Sequence, residues 1–355
     1  MAQRWLFSAF FVSTVWPVCI LPWFAVLHWL FDWRWTVLLP VSLLITIIYT
    51  YGSLHALRNG PDWLAVLSMR FLGLGSVGWI PALLGLLVET LVPSFPALIP
   101  VTVIWLGMLA YAFYRAHNIE NLFFSIEDSR ISKPVRVLQL SDVHVGSRSP
   151  AFLQKAIQQA NSLNPDIVVI TGDLVDRSRI GQDDLAPLSQ ISCPALMCIG
   201  NHERYVDLKA ALEMIKNCNV NVLRDQCIEL EGINFIGIDD FDDAKHVASA
   251  LEKLTIPTSL YNVVLYHRPD GWDAVKQHKL PLMLAGHTHN GQVWPLNFFV
   301  KMRFPEIAGW YRDKEGGSGS SLYVSSGTGT WGPTFRLGTR CEIGVFDFKP
   351  AAKPS

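Results

Sequence analysis

The first 116 residues carry only eight charged side chains, Arg4, Asp32, Arg34, Arg58, Asp62, Arg70, Glu89 and Arg115, while the rest of the 355-residue chain holds all the others. A water-facing surface cannot be built from so few charges, so this part of the chain must turn most of its surface to lipid. Four apolar stretches, Trp5 to Phe31, Trp35 to Leu57, Leu64 to Val88 and Leu98 to Ala116, approach or exceed the roughly 20 residues that a membrane-crossing helix needs. The breaks between them have turn and interface chemistry: Asp32 with Arg34, then Arg58-Asn59-Gly60-Pro61-Asp62, then Glu89 with Pro93 and Pro96. The first stretch reads as a span and not as a cleaved signal peptide, because it lacks a small-residue cleavage site and three further apolar stretches follow it. Four spans return the chain to its starting side. Arg4, Arg58 and Arg115 fall on that side against Arg34 on the other, which predicts a multi-pass protein of the cell membrane with its N-terminus and its C-terminal part in the cytoplasm. Arg70 can snorkel to the headgroups, and His28, His55 and the tryptophans suit an interfacial belt.

Beyond residue 116 the pattern changes to short β-rich runs, most of them separated by helical periodicity. Val135 to Leu140, Asp166 to Ile170, Ala195 to Ile199, Asn262 to Tyr266 and Leu282 to Ala285 read as strands, with helices such as Ala151 to Leu163 and Asp207 to Asn217 between them. Ser321 to Ser325 and Glu342 to Phe348 are predicted as late strands. The organisation is therefore a four-helix transmembrane part over 1–116, an α/β domain over 117–350 and a tail over 351–355. The net charge of -1 and pI near 6.8 provide no basic field, so no nucleic-acid partner is expected. Six cysteines without a regular framework fit reduced thiols, and Cys193 with Cys198 reads as strand sequence and not as a metal clip.

Each predicted strand ends in a polar cluster, where ligands gather in α/β sheets. The clusters are Asp142-Val143-His144, Gly172-Asp173, Gly200-Asn201-His202-Glu203, His267 and Gly286-His287-Thr288-His289. Singly, an Asp there caps a helix and a His satisfies a hydrogen bond. Together they supply carboxylates, an amide oxygen and imidazoles, the donor types that hold a pair of divalent cations for attack on a phosphate ester. One carboxylate must bridge such a pair, and Asp173 is the natural bridge because the glycine before it allows a sharp turn. A mixed imidazole and carboxylate set favours Mn, Fe or Zn over Mg.

The segments Leu140 to Gly146, Tyr266-His267-Arg268-Pro269-Asp270, Ala285 to Gln292 and Val324 to Gly329 resemble the calcineurin-like metallophosphoesterases, and in particular a membrane-associated bacterial branch. The resemblance extends over about residues 117–349. It implies a metallophosphoesterase β-sandwich flanked by helices, binding two divalent metal ions with Mn favoured. It further implies that Asp142, His144 and His289 hold the first metal, that Asn201, His267 and His287 hold the second, and that Asp173 is shared. His202 is then the catalytic group that orients phosphate and protonates the leaving oxygen. The family's usual Asp after that His is replaced by Glu203, whose longer side chain can still orient the imidazole.

Several polar residues admit two readings. Arg268 and Arg336 contact substrate phosphate or pair with surface carboxylates. Asp176 reads as a helix cap or as a partner behind the ligands, and Asp239, Asp240, Asp242 and Asp243 as a solvated acidic loop. The segment Val293 to Arg312 mixes Trp294, Phe298, Phe299, Phe304, Trp310 and Tyr311 with Lys301, Arg303 and Arg312, the composition of a loop at an anionic lipid interface or of a domain's own core. The expected function is membrane-anchored hydrolysis of a phosphate ester or pyrophosphate bond in an amphiphilic, lipid-linked substrate. The alternatives are a soluble nucleotide or other small phosphoester as substrate, or a membrane sensor with a regulatory metal domain. Transport fits poorly, since the spans hold almost no paired ionisable residues.

Overall fold

The structure, a computed structural model, describes residues 15–59, 62–177, 179–241, 243–313 and 317–351. It divides into two units, one formed by residues 1–115 with Gly332–Leu337 and the other by Ala116–Trp331 with Gly338–Ser355.

The first unit is helical. Among the described residues three helices are long and apolar enough to cross a membrane, over Trp35–Ser53, Val66–Leu91 and Leu98–His117. Of the four expected spans, three are therefore met among the described residues. The described part of the first apolar stretch, Trp16–Phe31, is shorter than the ~20 residues needed, and it stops where Asp32 takes a left-handed conformation (φ 50°). The rest of that stretch, with Arg4, lies outside the described residues, as does the Arg58 side chain. Close helix contacts rest on small residues: a Cβ on Gly75 would strike the Cys19 carbonyl, and one on Gly78 the Trp105 indole. Val37, Leu44, Ile48, Ile99 and Val103 instead face outward, as lipid-facing side chains do. Glu89 is partnered, accepting from Trp29 Nε1 at 2.9 Å and lying 3.2 Å from His28 Nε2.

The second unit is a mixed α/β fold of two six-stranded sheets. Its strands are β1 (Ile119–Asp128), β2 (Val135–Leu140), β3 (Ile167–Thr171), β4 (Ala195–Cys198), β5 (Val220–Val222), β6 (Gln226–Leu230), β7 (Ile233–Gly237), β8 (Tyr261–Leu265), β9 (Leu282–Ala285), β10 (Gly309–Arg312), β11 (Ser321–Val324) and β12 (Cys341–Pro350). One sheet runs β1-β12-β2-β3-β4-β5 and the other β10-β11-β9-β8-β7-β6. Strands β2, β3 and β4 are parallel to one another, as are β7, β8, β9 and β11.

Strand alternation divides the core into layers. Val135, Val137, Ile167 and Val169 point between the sheets, where they meet Val263, Leu265, Leu282 and Leu284. Leu138, Leu140, Val168 and Ile170 point the other way and bury Phe152, Leu153 and Ile157 of the helix Pro150–Ser162. Each of those three side chains contributes about 1.5–3 kcal/mol by burial. That helix starts where Ser149 accepts a hydrogen bond from the Phe152 N–H. On the far sheet, helices Ala244–Lys253 and Trp272–Gln277 bury Val247, Leu251 and Val275 against Ile236, Val264 and Met283.

All the expected strands occur, within one residue at most ends. The sheets also contain β1, β5, β6, β7 and β10, which the sequence pattern did not disclose. Four of these are sheet edges. Edge strands bury fewer side chains and lack the continuous apolar run that marks a central parallel strand. In β7 the run is broken by Asn234, whose amide bonds Asn262 across the strands.

Candidate metal centre

The polar clusters stand at a regular offset from the strands. Asp142, Asp173, His267 and His287 each lie two residues beyond the end of β2, β3, β8 and β9, and Asn201 lies three beyond β4. Parallel strands ending at one level therefore deliver side chains from both sheets to one place. Gln139 ties the sheets together beneath it, donating to Thr171 Oγ1 at 2.8 Å and to the Ala285 carbonyl at 2.9 Å.

The loops are held in conformations that side chains rarely adopt. Asp142, His144, Asp173, His287 and His289 all have positive φ, between 51° and 73°. Such residues cost about 1–3 kcal/mol each and persist where the surroundings over-determine them. Gly172, at φ 82°, makes the turn ahead of Asp173. Gly200 and Gly286 are small for a different reason: a Cβ on the first would fall on Asp173 Oδ1, and on the second against Ser141 Oγ and Asp142 Oδ2.

Three groups of donor atoms converge, each within 4.8 Å: Asp142 with His144 and His289, His144 with Asp173 and His202, and Asp173 with His267 and His287. Asp173 is common to two of them. Its Oδ2 lies 3.1 Å from His267 Nε2 and 3.9 Å from both His144 Nε2 and His202 Nε2, and its Oδ1 accepts the His202 N–H at 2.9 Å. His144 Nε2 and His289 Nε2 face each other at 2.9 Å, and His267 Nε2 stands 3.2 Å from His287 Nδ1. The Asn201 side-chain oxygen is buried with no hydrogen-bond partner among the described residues.

These residues fit divalent cations. His267 Nδ1 donates to the Thr171 carbonyl at 2.8 Å, which aims Nε2 at Asp173 as the nitrogen that would ligate a cation. Two pairs of imidazole nitrogens at hydrogen-bond distance, two buried carboxylates and an orphaned amide oxygen form a borderline donor set suited to Mn, Fe or Zn. Electrostatics agree. Burial favours the protonated Asp173, but His267 and His202 outweigh it and hold the carboxyl well below its usual range. Burial pushes the Asp142 carboxyl up, against the pull of His267. His287 is driven well below the ordinary imidazole value by burial and by neighbouring His267.

His202 is oriented by a residue other than the one expected. Glu203 does not touch the ring; its buried carboxylate accepts four backbone N–H groups, from Leu174 at 2.7 Å, Gly200 at 2.8 Å, Val175 at 2.9 Å and Asp173 at 3.0 Å. The additional methylene carries Glu203 past the imidazole to the β3 loop. Asp176 holds the ring instead, with Oδ1 2.6 Å from His202 Nδ1 and 3.4 Å from His144 Nδ1. Burial alone would lower the His202 imidazole, yet the charge on Asp173 and the Asp176 hydrogen bond push it up to about 9.

The other polar expectations divide. Arg268 is buried and bonds Asp270 at 3.1 Å. Arg336 is buried within Gly332–Leu337, the segment grouped with the helices, where its N–H donates to the Ala112 carbonyl at 2.9 Å. The acidic run is not a solvated loop. Asp239 is buried between Arg204 at 2.7 Å and Arg224 at 2.7 Å, and Asp240 is fully buried, with burial pushing its carboxyl up against His267 and Arg268. Asp243 caps the helix Ala244–Lys253, and Asp242 lies outside the described residues. The offset that locates the other clusters also marks Asp239, two residues beyond β7. The Val293 to Arg312 aromatics fall into two sets. Trp310 packs on Phe124 at 5.4 Å and Tyr311 on Trp272 at 6.3 Å, while Trp294, Phe298 and Phe299 are exposed.

Residues 135–291 match the family model of the calcineurin-like phosphoesterases. This part of the chain is a calcineurin-like phosphoesterase domain. An uncharacterized metallophosphoesterase of Campylobacter jejuni is 30% identical over 63% of this chain and 62% of its own length. A transmembrane protein with metallophosphoesterase domain from Danio rerio is 32% identical over 59% of this chain and 52% of its own length. This chain thus spans less than two thirds of the length of either relative. The presence of an animal relative removes the restriction to a bacterial branch. Among solved structures, an archaeal phosphodiesterase aligns at a TM-score of 0.33 and 13% identity over 53% of this chain and 82% of its own, which carries no argument here.

Proposed function

We propose that the chain is a membrane-anchored, metal-dependent phosphoesterase that hydrolyses a phosphate ester or pyrophosphate bond of an amphiphilic substrate. The observation that carries this reading is the convergence of Asp142, His144, Asp173, His267, His287 and His289 within bonding reach in three overlapping groups. Asp142, His144 and His289 would hold one divalent cation, and Asn201, His267 and His287 a second, with Asp173, common to two of the donor groups, available to either. When bound, such cations supply Lewis acidity to the phosphoryl group and to the attacking water. The residues of the chain do the rest. Asp176 fixes the His202 ring, and a protonated Nε2 there would give its proton to the leaving oxygen as the bond to phosphorus breaks. Glu203 anchors the backbone of Asp173 so that its carboxylate stays central. The helices hold residues 117–350 as a catalytic module at the membrane, with a cytoplasmic orientation assigned from Arg58 and Arg115, which three spans still place on one side, opposite Arg34.

The test uses the full chain purified in detergent, stripped with chelator and reloaded with Mn, Fe or Zn, and assayed on lipid-linked and soluble phosphoesters. Metal-restored turnover that Asp173→Ala abolishes supports the reading. Undiminished turnover in the stripped protein or in Asp173→Ala overturns it.

A further inference from the structure

A rim of large apolar side chains borders the metal centre. Trp294 is 44% exposed, Phe298 61%, Phe299 44%, Met302 83% and Trp331 48%. The helix Asn297–Arg303 buries none of its residues, and Lys301 and Arg303 stand exposed among these side chains. Large apolar side chains exposed in such number beside a site on a folded domain mark a surface of contact.

The rim is joined to the site. Trp331 N–H donates to Gln292 Oε1 at 3.0 Å, three residues after His289. Phe304, which closes the helix, lies edge-on to His287 at 5.1 Å, and Arg303 is 3.5 Å from Asp270, the partner of Arg268.

A second observation says what covers it. The last membrane-length helix ends at His117, and β1 begins at Ile119. The Ala116 carbonyl accepts from Arg148 Nη2 at 3.1 Å and from Cys341 Sγ at 3.3 Å, and the His117 carbonyl from Lys155 Nζ at 2.6 Å. Cys341 Sγ also reaches the Gly329 carbonyl at 3.4 Å, and the Gly329 N–H donates to the Asp142 carbonyl at 3.1 Å. The point where the chain leaves a membrane-length helix is therefore two bonded residues from the first metal loop, and Trp331 follows Gly329 by two positions.

We propose that this rim docks on an anionic lipid bilayer. The Trp and Phe rings enter the headgroup layer, Met302 reaches the acyl boundary, and Lys301 and Arg303 meet lipid phosphates. The proposal rests on the membrane anchorage given above but not on the identity of the substrate. It makes the bilayer surface the route to the metal centre.

The test uses the full chain in nanodiscs of phosphatidylcholine, with or without phosphatidylglycerol. Met302→Cys in a Cys193→Ser, Cys227→Ser background carries an environment-sensitive dye, and Lys216→Cys, on the exposed face of Leu208–Asn217, carries the same dye as a water-facing reference. The expected result is a blue-shifted emission at 302 that doxyl-labelled lipid quenches several-fold more than at 216. The quenching rises with phosphatidylglycerol and falls on Phe298→Ser with Phe299→Ser. Equal quenching at both positions in nanodisc-retained protein overturns the docking and leaves the anchorage standing. Protection of 302 from aqueous quencher without lipid quenching also overturns it, since protein then covers the rim. Failure of nanodiscs to retain the chain overturns the anchorage, and the docking with it.

Discussion

Glu203→Gln separates two roles for the residue that follows His202. In the structure the carboxylate accepts four backbone N–H groups, two at Oε1 from Leu174 and Val175 and two at Oε2 from Asp173 and Gly200. A glutamine keeps one accepting oxygen and turns an NH2 toward the other pair. Two hydrogen bonds to a charged group are lost, at about 1.5–3 kcal/mol each. Part of this is returned, because burial and the nearby Asp173 charge oppose the ionised Glu203. A net loss of about 2–4 kcal/mol is expected, which lowers Tm by about 2–4 °C per kcal/mol in a domain of this size. The Asp173 backbone also loses its anchor, so metal affinity falls by roughly the 10–100-fold typical of a lost partner behind a ligand. Thermal unfolding and metal titration of the detergent-solubilised chain measure both. An unchanged Tm and metal affinity with a slower chemical step would refute the reasoning and return Glu203 to the role of His202's orienter.

Asp176→Asn removes the carboxylate from His202 and should lower the rate most for esters with poor leaving groups. In the metal-free protein the same variant tests a pH effect. The His202 pKa is raised in the fold, from near 6.5 to about 9, so its stabilisation is complete below about 6.5 and is lost as pH rises through about 9. The contribution is about 3 kcal/mol, and Tm measured against pH in chelator should lose part of that slope in Asp176→Asn, the remainder persisting because the Asp173 charge still faces the ring. His202→Gln should retain metal but slow turnover by roughly 10²–10⁴-fold, with a smaller loss for nitrophenyl esters; loss of metal would remove it from the acid role. Gly200→Ala, at an ordinary φ of −107°, places a methyl on Asp173 Oδ1 and should deplete bound metal by elemental analysis while the fold remains.

The central strands and the site residues were legible because both obey short-range rules: apolar runs of four to six residues, then polar clusters at a fixed offset. Asp142, His144, Asp173, His267, His287 and His289 meet as their types suggested. What escaped depends on reach in three dimensions. One methylene decides whether the residue after His202 touches the ring or passes it, and no spacing shows that Asp176, rather than Glu203, is the ring's partner. The acidic run read as solvated because Arg204 and Arg224, which bury Asp239, are distant from it in sequence. Edge strands such as β1 and β10 lack the pattern that marks the interior ones. The first apolar stretch ends at Phe31 as its sequence indicates, and Trp5 to Thr14 lie outside the described residues.

The strand-end offset has a consequence for quality control of the fold. Asp142, Asp173 and Asn201 come from one sheet, His267 and His287 from the other, and each keeps its place only if its strand is in register. Slipping a strand by one residue reverses which side chains face the gap between the sheets and withdraws one donor from the cluster. Metal uptake would therefore act as a coincidence detector for the register of five strands, and a chain mispaired at any one of them would be distinguishable by its empty centre before its stability betrays it.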